Sequence, residues 1–358
     1  MRLIASILAV TLFVMVLPSC SLPFYWQAAS GQMELLRKRV AIERILEDPA
    51  AEDSLKDALR DVAAIRDFAI TELQLPDNGS YTSYADLGRP YVVWNVVAAE
   101  EFSVEPQQWC FPFAGCVSYR GFFKREQAAA FERTLAVEGL DTYSGGSSAY
   151  STLGYFADPV LNTMLAPSSD AIAALLFHEL AHQKLYVKGD SELSEAFAST
   201  VEEFGTRAWL KRQRDAEGIA RYEQRLSERA AFAELVAAAQ QRLGAIYALD
   251  LTVERKRAAK AAAFEQMLTD YAAAKMSGAM SSAYDAWFAQ PLNIAVLASV
   301  ATYRRWVPAL RWRLETRGLE QFYADVTALA AQDIEPRTAA LESWAAAASA
   351  AGDAPDAG

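Results

Sequence analysis

Residues 178–182 read His178-Glu179-Leu180-Ala181-His182, and they sit in a stretch that has a clear beginning and end. Ser168, Ser169 and Asp170 offer N-cap oxygens, a helix is predicted from 171 to about 187, and Gly189 is placed to end it. On such a helix, side chains four apart project from one face, so both imidazoles can reach a single ion. Glu179 follows the first His, which puts its carboxylate beside a water at that ion rather than on the ion itself. The chain has two His in all, and both fall in this pentapeptide. The competing reading is a pair of ordinary helix histidines, exposed or satisfied in a core.

The pentapeptide matches the HExxH signature, in which Zn²⁺ is the expected metal and the Glu acts as general base. A third His ligand is impossible, so a carboxylate must complete the site. The next predicted helix, from about 190 to 212, supplies one. Phe197, Val201 and Phe204 mark its apolar face, and Glu195 and Glu202 lie two turns apart beside that face. Glu195 is the first choice of ligand. Glu202 is the second, or else it orients a His ring. An oxyanion would need a donor besides the metal. Tyr119, Arg120, Tyr150, Tyr155 and Tyr186 are available, with Tyr186 and Arg120 taken as the catalytic candidates beside Glu179. A free substrate α-amino group would call for a carboxylate, and Asp158, Asp190 and Glu202 are the candidates.

Outward from this centre the chain reads as α+β and predominantly helical. Apolar residues recur at helical spacing from 32 to about 75, with Pro49 as a break. The β-branched and aromatic runs at 91–97 and 117–123 predict strands of a small sheet. Helix returns over 124–137. The Gly- and Ser-rich segment 141–167 predicts a loop with one short strand near 150–152. Residues 216–351 have helical composition, and 352–358 read as a disordered tail. The expected organisation is a zincin-like catalytic unit over 20–215 with a helical C-terminal region, 216–351, packed on it.

The chain has 358 residues, of which 53% are hydrophobic and 22% charged, enough for a sizeable core. A formal net charge of −11 argues against nucleic acid as a partner. Arg2 followed by an apolar run over 3–17 predicts a signal peptide, residues 1–19. Leu17-Pro18-Ser19-Cys20 resembles the bacterial lipobox, which implies lipid modification of Cys20. The other two Cys, Cys110 and Cys116, flank a Pro- and Gly-containing loop able to close a disulfide, as expected in an oxidising compartment; two buried free thiols are the alternative.

The run 178–190, followed by Ser194-Glu195-Ala196-Phe197-Ala198-Ser199-Thr200-Val201-Glu202, resembles the bacterial "predicted aminopeptidase" family of envelope lipoproteins. So do the stretches 110–123 and 150–164, and the likeness extends over nearly the whole chain. Typical members have Asn-Glu where this chain has Ser194-Glu195. The helix bearing that Glu also resembles those of gluzincins, although its interval from His182 is shorter than in thermolysin-like enzymes. The resemblance implies an aminopeptidase held by lipid on a membrane of the bacterial envelope and facing the periplasm. An endopeptidase acting on envelope proteins, or a non-catalytic binding module, are the alternatives that the motif leaves open.

Overall fold

The computed structural model describes residues 22–111, 115–166, 168–300 and 305–352. The proposed signal peptide, Cys20 and residues 353–358 of the expected tail lie outside them. Helical spacing over the first part of the chain becomes α1 (Leu22–Lys38), α2 (Ile42–Glu47) and α3 (Asp53–Thr71). Between the first two, β1 (Val40–Ala41) pairs antiparallel with β2 (Ser83–Ala85), which pairs parallel with β8 (Val160–Leu161).

The sheet that matters for the site is built around β3 (Val93–Ala99). It pairs antiparallel with β6 (Arg120–Phe122) on one side and β7 (Asp141–Ser147) on the other. The run expected as a single strand over 117–123 is divided. Its first part, β5 (Gly115–Val117), forms a hairpin with β4 (Trp109–Phe111), closed by the Cys110–Cys116 disulfide. Its second part is β6.

The expected loop at 141–167 is corrected by β7, which pairs with β3 along all seven of its residues. Its glycines are there for close ring contacts, not for a turn. A Cβ on Gly145 would lie 2.8 Å from the Tyr143 hydroxyl, and one on Gly146 would lie 2.3 Å from the Tyr91 ring. Residues 150–152 form no strand. They belong to a turn whose backbone and hydroxyls are held by buried Asp158, which accepts from the Thr152 amide at 2.9 Å and the Thr152 hydroxyl at 2.8 Å.

Helix α4 (Arg125–Val137) covers the sheet, and two helices then carry the motif and the proposed carboxylate ligand: α5 (Ser169–Lys184) and α6 (Ser191–Gln213). α5 stops three residues before the expected 187. Leu185 turns extended, and Gly189, at φ +80°, makes the tight connection that only a residue without Cβ adopts freely. Asp190 caps α6 by accepting from the Leu193 amide at 3.0 Å, and Arg337 holds its second oxygen at 2.5 Å. The buried stripe of α6 differs slightly from expectation. Phe197, Val201 and Gly205 are its inward positions, whereas Phe204 is 37% exposed. At Gly205 the helices come so close that a Cβ would meet Leu73 at 2.5 Å and Phe177 at 2.9 Å.

The rest of the chain is helical: α7 (Ala216–Tyr247), α8 (Val253–Met276), α9 (Asp285–Phe288), α10 (Ile294–Val300), α11 (Val307–Arg317), α12 (Leu319–Ala330) and α13 (Ile334–Gly352). The protein is thus a mainly helical α+β molecule with small sheets. Its largest apolar core joins Leu59, Ile65 and Phe68 of α3 to Phe177 and Leu180 of α5, Phe197 of α6, and Leu310 and Phe322 from the C-terminal helices. The Phe197 and Phe322 rings stack at 5.8 Å. Among the described residues, no helix is long and apolar enough to cross a membrane.

Candidate metal centre

Two residues on one helix and one on the next come together: His178 and His182 of α5 and Glu195 of α6. His178 Nε2 and His182 Nε2 are 3.1 Å apart, as their spacing on α5 dictates. From α6, Glu195 brings one oxygen to 3.3 Å from His178 Nε2 and the other to 3.4 Å from His182 Nε2. A tetrahedral ion with bonds of about 2.05 Å spaces its ligand atoms about 3.3 Å apart. The imidazole pair stands close to that separation, each ring has a Glu195 oxygen beside it, and with one ligand atom taken from each residue the three all lie within 4.8 Å of one another, a group that could hold one small cation.

Around this triad the α6–α7 packing supplies support. Glu202 Oε2 is 3.1 Å from His178 Nδ1, and its other oxygen accepts from Arg229 of α7 at 2.8 Å. The carboxylate is only 6% exposed, so Arg229 neutralises a charge that burial would otherwise make costly. A His whose Nδ1–H is held by a carboxylate has Nε2 free as a ligand and its ring fixed in plane. His182 has no such support: its buried Nδ1 lacks a hydrogen-bond partner among the described residues.

The charges at the centre are arranged for a cation. Burial disfavours a charged His178, but the hydrogen bonds and negative charge of Glu195 and Glu202 overcome this and raise its pKa to about 10. Burial pushes Glu195 up, yet contacts with His178 and His182 hold it well below the usual carboxylate range. Glu202 likewise lies low, because His178 and Arg229 outweigh its burial. Glu179 behaves differently. Burial raises it, with the two His only partly offsetting that effect, so it binds a proton more readily than an ordinary Glu.

These groups open onto a cleft of about 490 Å³. His178, Glu179, His182 and Glu195 form one side. The opposite side is the β6–β3 sheet face, with Gly121 and Asn95, and the disulfide hairpin adds Phe111 and Val117. That hairpin is set close to the α5–α6 turn: a Cβ on Gly115 would lie 3.0 Å from the Gly189 amide nitrogen.

Of the tyrosines nominated from sequence, Tyr119, Tyr150 and Tyr186 line the cleft. Tyr155 does not, and is 72% exposed on the neighbouring turn. Arg120 is not among the lining residues either. Strand alternation sends it to the face opposite Gly121, where its guanidinium lies over the Phe24 ring at 4.0 Å and the Phe131 ring at 4.8 Å. The three carboxylates considered for an α-amino group are all engaged elsewhere: Asp158 by Thr152, Asp190 by the cap and Arg337, and Glu202 by His178 and Arg229. Arg229 and Asn95 were not nominated from sequence. Arg229 lies in a helix full of charged residues and carries no local signal, and Asn95 is a single polar residue inside an apolar strand.

The fold is thus mainly helical α+β, and two His of the HExxH helix with a Glu of the next helix form a group that could hold a metal ion. The chain belongs to the family described as "Putative aminopeptidase", whose model matches residues 23–341. No curated protein and no solved structure matches it.

Proposed function

We propose that the protein is a zinc-dependent peptidase of the bacterial envelope and, following its family description, an aminopeptidase. The observation that carries this reading is the convergence of His178, His182 and Glu195 beside Glu179 at one wall of a peptide-sized cleft. Those three side chains would hold the ion in a zincin-like arrangement, and the donor set of two imidazoles and a carboxylate suits zinc. When bound, zinc supplies Lewis acidity, which makes water more acidic and polarises a carbonyl.

The protein's own groups do the rest. Glu179 takes the proton of the attacking water at its carboxylate and delivers it to the departing amine. Glu202, braced by Arg229, keeps the His178 ring in position. A hydroxyl from Tyr119, Tyr150 or Tyr186 donates to the oxyanion as the carbonyl carbon becomes tetrahedral. Cleavage within chains is the second reading, and the engagement of Asp158, Asp190 and Glu202 favours it, since each is committed to a structural partner. A lipid on Cys20 would anchor the protein facing the periplasm, a location with which the Cys110–Cys116 disulfide is in keeping.

The test is turnover of a peptide library by the zinc-loaded protein, with N-terminal sequencing of the products. Release of single N-terminal residues is expected; internal cuts would replace the aminopeptidase assignment with the second reading. No turnover by a zinc-loaded protein would leave the binding-module alternative in its place.

A further inference from the structure

The centre of the cleft floor holds a polar group with no assigned task. Asn95 lies midway along β3, directly opposite Gly121 on β6 and Gly145 on β7. Its side chain lines the same cleft as His178 and Glu179, and it makes no side-chain hydrogen bond to another described residue. The space beside its amide is kept by Gly121. A Cβ on Gly121 would lie 3.2 Å from Asn95 Oδ1, tight enough to displace the amide. Around Asn95 the walls are largely apolar, with Val93, Phe111, Val117, Phe123 and Leu153.

A primary amide in such a setting carries an unmet demand. In the open cleft, water satisfies it, but a ligand seated on the floor displaces that water and must then offer both an acceptor and a donor. A main-chain peptide group does so, with its C=O toward Asn95 Nδ2 and its N–H toward Oδ1. The apolar walls would meanwhile favour a large side chain from the same residue or its neighbour. Apart from Glu179 and Glu195, no carboxylate lines the cleft among the described residues, so this floor recognises main chain and apolar bulk rather than charge. We infer that Asn95 is the main-chain anchor of a substrate subsite, and that the preferred substrates are peptides with an aromatic or large aliphatic residue next to the cleaved bond. The inference rests on the peptidase reading, and extends it to a substrate class.

The test separates binding from turnover. Zinc-loaded protein carrying Glu179→Gln is titrated with hexa-alanine peptides that keep a free N-terminal amine and bear one Phe at successive positions, and with the same peptides N-methylated at one backbone amide. One Phe position is expected to bind about tenfold more tightly than the others, and one N-methyl group to weaken binding about tenfold. Adding Asn95→Ala should abolish that N-methyl penalty while zinc content and melting temperature stay unchanged. In the active protein, Asn95→Ala should raise KM about tenfold with little change in kcat. Gly121→Ala, which crowds Oδ1 from the next strand, should weaken binding in the same direction. Persistence of the N-methyl penalty in Asn95→Ala, or no binding of any of these peptides, overturns the inference. If the peptides bind as expected but the wild-type protein cleaves none, the hydrolytic reading fails and the Asn95 subsite stands.

Discussion

Glu179, Glu195 and Glu202 have the same side chain, and their surroundings give them three tasks. Glu195 meets both imidazoles, Glu202 is buried against His178 and Arg229, and Glu179 lines the cleft with its proton affinity raised by burial. Glu179→Gln is therefore expected to keep zinc and lose about 10²- to 10⁴-fold in kcat, measured by metal analysis alongside peptide turnover. Glu202→Gln should keep the fold and weaken zinc binding by about 10- to 100-fold, read by competition with a chelating dye. The spacing of His178, Glu179 and His182 made the first part of this centre legible in the sequence, because one helix turn fixes it. Glu195 was legible through the apolar stripe beside it. Arg229 was not, because it reaches Glu202 from 27 positions away on another helix, and Asn95 became visible only once strand pairing set glycines on both sides of it.

Elements were legible where periodicity or caps marked them. Asp190 marked the start of α6, where it accepts a backbone N–H as its residue type suggests. β7 was hidden because its glycines, 145 and 146, look like turn residues, whereas they make room for aromatic rings. The same physics governs the crossing of α5 and α6. Gly205→Ala puts a methyl group into Leu73 and Phe177, one residue before the first metal ligand. It should cost about 1–3 kcal/mol of stability, measured by urea unfolding, even though Ala favours a helix. An unchanged midpoint would mean that these two helices can move apart freely.

Across the whole molecule, distant elements are tied to the sheet by a few half-buried polar links. Lys260 of α8 meets Asp141 of β7 at 2.6 Å, and the same carboxylate accepts from the Ile294 amide at 3.1 Å. Asp141→Ala leaves the Ile294 amide without its partner and Lys260 with the Glu101 carbonyl alone, and should cost about 1–3 kcal/mol, seen as a lower melting temperature with zinc content unchanged. Zinc itself should stabilise the fold, since its ligands come from two helices and converge only in the folded chain. At a free concentration a thousand times Kd, the gain is about 4 kcal/mol. A chelator should therefore lower the melting temperature, and added zinc restore it. No such tertiary coupling could be read from the sequence, which specified that the C-terminal region is helical without specifying which strand each helix would meet.

The most direct test of the account is the zinc content of the purified protein, measured by mass spectrometry of the metal after dialysis, with Glu195→Ala and Glu179→Gln beside the wild type. One zinc per chain in the wild type and Glu179→Gln, and its loss in Glu195→Ala, is the expected result. A wild-type chain that takes up no zinc, or a Glu195→Ala variant that binds it as tightly as the wild type, would contradict the assignment of His178, His182 and Glu195 as the metal centre.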